Sequence, residues 1–249
     1  MSAGVIGDSP LFVLEYALRL LRVLVLLSLW RMILEGRPPA GGMPLGAVLT
    51  YTLISEVFAQ QLELRTTLRD AFWEGTLVVR FLRPMGLVRQ LGAEMVGRWA
   101  IHFVLFSLPL LALAPLLGVD PRPATPTAAG LFAVSLMLAV TVGLALDVFF
   151  GALTVALEQP VWLVDYVRTA IATLLSGALL PLAYYPWGLG DAFSWLPFAA
   201  MAWAPLAIFT GTANAATLLA SQAVWAAVLW PVADWLWRAN REKLVAYGG

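Results

Sequence analysis

Long apolar runs separated by short polar or Pro/Gly-rich breaks make up most of this chain. A bilayer core of about 30 Å takes roughly 20 apolar residues in a helix. Six runs reach that length, near 17–35, 45–63, 95–117, 128–153, 163–182 and 214–236. The first is interrupted by Arg19, Arg22 and Arg31, and the outer two have stems long enough to snorkel to the headgroups. Before it, Ser9-Pro10 followed by Leu11, Phe12, Leu14 and Leu18 predicts an amphipathic surface helix over about 9–18, with Pro in its first turn. From 183 to 211 the chain stays apolar but carries Pro186, Pro197 and Pro205, just after Pro181. Each internal Pro removes a backbone bond and clashes with the preceding turn. Two short re-entrant helices before the last span fit this stretch better than one straight span. The pattern predicts an all-α membrane protein with six transmembrane helices, forming one transmembrane domain over 1–249.

Composition supports that class. Of 249 residues 61% are hydrophobic and 12% charged, against about 25% charged in an average soluble domain. Mean hydropathy is +0.84, which excludes an ordinary soluble globular protein. Fifteen basic and fifteen acidic side chains cancel, so no bulk field recruits nucleic acid. Their distribution is uneven. With the N-terminus inside, twelve basic residues collect on one side and Arg31, Arg37 and Arg122 on the other. The positive-inside rule then puts both termini in the cytoplasm. Glu-Gly-Arg-Pro-Pro after Leu34 is not a small-residue cleavage site, so no cleaved signal peptide is expected.

The chain lacks most catalytic signatures. Cysteine is absent, which excludes disulfides, thiolate metal sites and a Cys nucleophile. A single histidine, His102, excludes multi-His metal sites. No G-x-x-x-x-G-K-[ST] occurs, so no P-loop is present. Neither Gly151-Ala152-Leu153-Thr154 nor Leu175-Ser176-Gly177 has the spacing of a nucleophile elbow. A metal site and an enzymatic activity in this chain are not expected.

Polar residues inside the spans are the remaining candidates, because a charge there is costly and usually faces the bundle interior. Thr52, Glu56, Gln60 and Glu63 share one helical face of span two, and Thr169, Thr173 and Ser176 share one face of span five. These stripes either line a translocation route or make interhelical hydrogen bonds. Ser135, Ala139, Gly143, Asp147 and Gly151 recur every fourth position in span four, a small-residue face suited to close helix packing. Counted from the span ends, Glu56, His102 and Asp147 lie at similar depth. His102 and Asp147, on consecutive spans, are expected to pair, with Arg98 near enough to join. Six tryptophans, Trp187, Trp195, Trp225, Trp230, Trp235 and Trp237, sit near the span boundaries as interfacial anchors.

One polar stretch reads Thr67-Leu68-Arg69-Asp70-Ala71-Phe72-Trp73-Glu74-Gly75-Thr76-Leu77, then Phe81-Leu82-Arg83-Pro84-Met85. Later come Leu175-Ser176-Gly177, Pro181, Tyr185-Pro186, Leu196-Pro197-Phe198, Ala204-Pro205 and a terminal Tyr247-Gly248-Gly249. From about Leu29 to Gly249 the chain resembles the ABC-2 type family of ABC exporter permeases, specifically small six-helix subunits paired with a sibling permease and a separate ATPase. The resemblance implies a dimer of permeases, identical or sibling, in a bacterial inner membrane. It implies no cofactor in this chain, with ATP and magnesium held by partner ABC ATPase subunits. It also implies that 66–84 is a coupling segment seated on the ATPase. Leu68, Phe72, Trp73 and Leu77 supply apolar anchors there and Arg69, Asp70, Glu74 and Arg80 a polar rim, the usual anatomy of a protein contact. Gly75 and Pro84 end or turn the short helix, with Arg83 beside them. An amphipathic loop lying on lipid headgroups is the competing reading.

The expected function is thus the permease subunit of an ATP-driven exporter for an amphipathic or drug-like substrate. Rivals are a proton-coupled secondary carrier using Glu56 and Asp147, and a non-transporting assembly subunit.

Overall fold

A computed structural model describes residues 10–36, 43–240 and 243. Ser9, Arg37 with the rest of the loop after Gly36, Arg241 and the terminal Tyr247-Gly248-Gly249 lie outside the described residues. Among the described residues there are twelve α-helices and no strand. Three continuous helical stretches are long and apolar enough to cross a membrane: Leu87–Leu113, Pro126–Ala156 and Ala215–Ala239.

The first helix, α1 (Pro10–Leu34), is continuous over 25 residues. No Gly or Pro interrupts 11–34, so the expected surface helix over 9–18 and the first span are one rod. Its arginines do not snorkel. Arg19 donates to the Glu56 carbonyl and pairs with His102, while Arg31 donates to the carbonyls of Leu117 and Gly118.

The second run is broken. It forms α2 (Leu45–Val57) and α3 (Ala59–Leu62), separated by Phe58 at φ −104°, ψ 18°. Two short helices, α4 (Leu68–Trp73) and α5 (Leu77–Phe81), follow. Next, α6 (Leu87–His102) runs through a π-helical turn (Phe103–Ser107) into α7 (Leu108–Leu113). This stretch begins eight residues before the expected 95, because Leu87 and Leu91 give the helix an apolar face that the intervening charges mask in a linear reading. Pro109 has no N–H to donate back into the helix, which is where a widened turn is tolerated.

At the centre stands α8 (Pro126–Ala156), 31 residues or about 47 Å. Thr125 caps it by accepting from the Ala128 N–H at 3.1 Å, with Pro126 at its first position. It packs along α12 (Ala215–Ala239) and against α11 (Trp203–Thr210). The small-residue face works as expected. Gly143 presses on Leu64 and Met201, Ser135 donates to Gln222 Oε1 at 2.8 Å, and Ala139 is buried.

The fifth run yields only α9 (Val161–Leu175), 15 residues. It stops because Gly177 turns the chain at φ 78°, a conformation that glycine adopts readily. The proline-rich region then gives two short 3₁₀ turns, α10 (Leu189–Ser194) and α11. Every residue from Ala199 to Phe209 is buried. Irregular backbone at this level is thus covered by protein, the condition under which a membrane tolerates it. Tyr51 donates to the Gly177 carbonyl at 2.7 Å and Ser55 to that of Ala178 at 2.8 Å, tying the turn to α2.

Candidate functional site

The polar stretch 64–76 lies against the last turns of α8 and the first of α9. Leu68, Ala71 and Phe72 are buried, and Leu68 drops onto Gly151, where a methyl group would meet its Cδ2 at 2.6 Å. Arg69 pairs with Asp165 of α9 at 2.8 Å. Gly75 ends α4 at φ 67°. Leu77 is buried beside Leu91 and Val155. Leu68, Phe72 and Leu77 are therefore not available as anchors for a partner: they hold the segment to its own bundle. Trp73 stands outside, 71% exposed, with Arg69, Asp70, Glu74 and Gly75 also on the surface.

A buried ion pair fixes the lead-in to α4. Asp147 Oδ1 lies 2.6 Å from Arg168 Nη1, and both side chains are only 10% exposed. Arg168 Nη2 also donates to the Leu64 carbonyl at 2.6 Å. Thr66 Oγ1 donates to Asp147 Oδ2 and accepts from the Leu68 N–H at 3.0 Å. Two helices of the bundle, α8 and α9, and the segment leading into α4 thus share one network. Breaking such a pair is far more damaging than its net contribution suggests, since one charge is left buried alone.

The expected His102–Asp147 pair does not form. Asp147 is taken by Arg168 and Thr66, and His102 pairs with Arg19 and stacks on Phe106 at 4.8 Å. The physical reason is competition: a guanidinium offers a carboxylate several fixed donors, an imidazole far fewer. No bond joins Arg98 to either residue among the described contacts. Arg168 is the lone cation of the fifth run and Asp147 the lone acid of the fourth, a signal that depth alone does not turn into a pairing.

The two polar stripes separate. Thr52 and Glu56 are buried in α2, and Glu56 pairs with Arg22 at 3.1 Å. The break at Phe58 takes Gln60 out of that face, and it is exposed. Thr169, Thr173 and Ser176 line a separate cleft with Glu63, Arg65 and Met201. Beyond α4, Arg80 bonds Glu94 at 3.1 Å and Thr67 at 2.9 Å, and Arg83 approaches Glu94 at 3.8 Å. Gln90 donates to the carbonyls of Arg80 and Met85, closing the loop that holds Pro84. Among the described residues no cluster of metal-ligating side chains forms.

A helical bundle with three membrane-length stretches among the described residues, and a short helical segment locked across one end, defines a membrane protein of the all-helical class. The chain belongs to the family described as ABC-2 family transporter protein, whose profile matches residues 20–248. No curated protein and no solved structure matches it.

Proposed function

We propose that the chain is the permease subunit of an ATP-driven exporter, with six spans, both termini cytoplasmic and ATP hydrolysed by a separate subunit. The observation that carries this is the two-sidedness of α4. Its inner side is locked into the bundle by Leu68, Phe72 and the Asp147–Arg168 network, and its outer side presents Trp73 between charged neighbours. A rigidly mounted aromatic inside a polar rim suits a protein contact. It suits force transmission better than a loop floating on headgroups. The ATPase, with its ATP and magnesium, would seat on that side. A second permease, identical or sibling, would complete the complex in a bacterial inner membrane. The cleft that Thr169, Thr173 and Ser176 help to line is the better candidate for the substrate route, with an amphipathic or drug-like molecule as cargo. A proton-coupled carrier finds less support, because Glu56 and Asp147 each already face an arginine.

The test is reconstitution. Purified alone in mild detergent, the subunit should hydrolyse no ATP and should capture an ABC ATPase; together they should hydrolyse ATP and move substrate. ATPase activity in the isolated chain would sink the reading.

A further inference from the structure

At the α4 end of the bundle a groove of about 620 Å³ opens between α6, α8 and α12. That volume falls within the range of small-molecule sites, about 300–1,000 Å³. Leu87, Val148, Trp230, Pro231 and Trp237 form its walls. All three helices belong to the stretches long enough to cross a membrane, and most of α6–α7 and α12 is turned outward, with only 17% of each apolar window buried. Val88 and Val96 on α6, and Val228 and Val232 on α12, are exposed alongside. The groove therefore opens to hydrocarbon.

Its rim is polar and net positive. Arg89 on α6 is exposed and makes no ion pair with any described residue. Opposite it, Asp234 is neutralised by Arg238 one turn on, at 2.6 Å. A lone guanidinium above an apolar trough, with a tryptophan at either end, matches an amphiphile that carries one negative charge. Trp230 and Trp237 lie seven residues apart, about 10 Å along α12, enough to flank a headgroup and the first methylenes of its chain.

We propose that this groove binds one anionic glycerophospholipid from the leaflet on the α4 side. The phosphodiester sits on Arg89 and the acyl chain lies over Trp230 and Pro231. Occupancy bears on α4 and α5, because Trp237 also meets the rings of Phe72 and Phe81, each at 6.5 Å between centroids. The site rests on the chain spanning a bilayer and on nothing about the cargo.

The test is native mass spectrometry of the full chain released from nanodiscs of phosphatidylglycerol or phosphatidylcholine. One phosphatidylglycerol should stay bound per chain, with at least tenfold preference over phosphatidylcholine, and millimolar inorganic phosphate should not displace it. Arg89→Gln should remove the preference, and Trp230→Ala should shorten retention of either lipid. Arg98→Gln, an exposed cation further along α6, should change neither. No retained lipid, equal losses in Arg89→Gln and Arg98→Gln, displacement by inorganic phosphate, or displacement by added ATPase would each overturn the site. Any of these would leave the exporter reading untouched, since ATP-driven transport is measured separately.

Discussion

Gly151 and Leu68 meet so closely that a methyl group on Gly151 would stand 2.6 Å from the leucine Cδ2. One residue belongs to the central helix and the other to the short helix across the bundle end. The missing side chain is what lets α4 lie down. Gly151→Ala should be tolerated, because the far end of Leu68 can turn aside. Gly151→Leu should lift α4, so that hydrolysis continues while transport falls. Parallel assays of ATP turnover and substrate flux separate the two.

Asp147→Ala should lower stability by about 3–5 kcal/mol, since it strands the Arg168 guanidinium in the bundle. Arg168→Met should do comparable damage from the other side. The double variant, apolar at both positions, should recover a large part of the loss. Thermal unfolding in detergent across all four proteins measures the coupling, and additive losses would mean that the pair does not act as a unit.

Adjacent aromatics on α4 should behave oppositely. Phe72→Ala removes a buried ring and should cost about 3–5 kcal/mol. Trp73→Ala, at 71% exposure, should leave the melting temperature unchanged yet weaken ATPase capture at least tenfold. Glu74→Lys should act in the same direction. Intact capture by both variants would favour a segment that lies on lipid.

Gly190 is the least replaceable glycine described. A Cβ there would fall 2.0 Å from the Leu182 carbonyl oxygen, and neither backbone can yield. Gly190→Ala should destabilise by about 3 kcal/mol, the upper end for overpacking. By contrast, Gly92 lies in α6 with nothing within 4 Å of a new methyl, so Gly92→Ala should raise stability by about 0.5–1 kcal/mol. Folded yield and unfolding midpoint report both.

In the cleft, Thr173 is exposed while Ser176 is buried. Thr173→Trp should obstruct the route without disturbing packing, reducing flux while ATPase capture is retained. An equal-sized change at exposed Gln60 on α3 should have little effect on flux.

How far the sequence discloses this fold varies with the mechanism that sets each element. The α8 and α12 runs were legible because their apolar stretches are long enough to span a bilayer and carry few charges; the caps at Thr125 and Asn214 emerge only in the structure. Span two was not, since Phe58 is neither Gly nor Pro and its departure from helix is a tertiary effect. The start of α6 was hidden by Arg89, Glu94 and Arg98 on its polar side. At the candidate site, the small-residue face and the capping role of Gly75 could be read from spacing alone. Which partner Asp147 takes could not. Depth along a helix narrows the choice to several groups, and only the rotation of α8 against α9 selects Arg168.

The break at Phe58 and the π-helical turn at Phe103–Ser107 lie side by side, and Ser107 Oγ donates to the Val57 carbonyl at 2.7 Å. Each helix has already surrendered its regular ladder at the same level, and the loosened carbonyl is held by the neighbour. Main-chain bonds still cross both places, from Leu62 to Phe58 and from Leu108 to Phe103, so each helix is loosened without being cut. One serine thus stitches the two departures together, with Tyr51 and Ser55 fixing α2 on one side of the break and Leu62 and Leu64 seated in the bundle on the other.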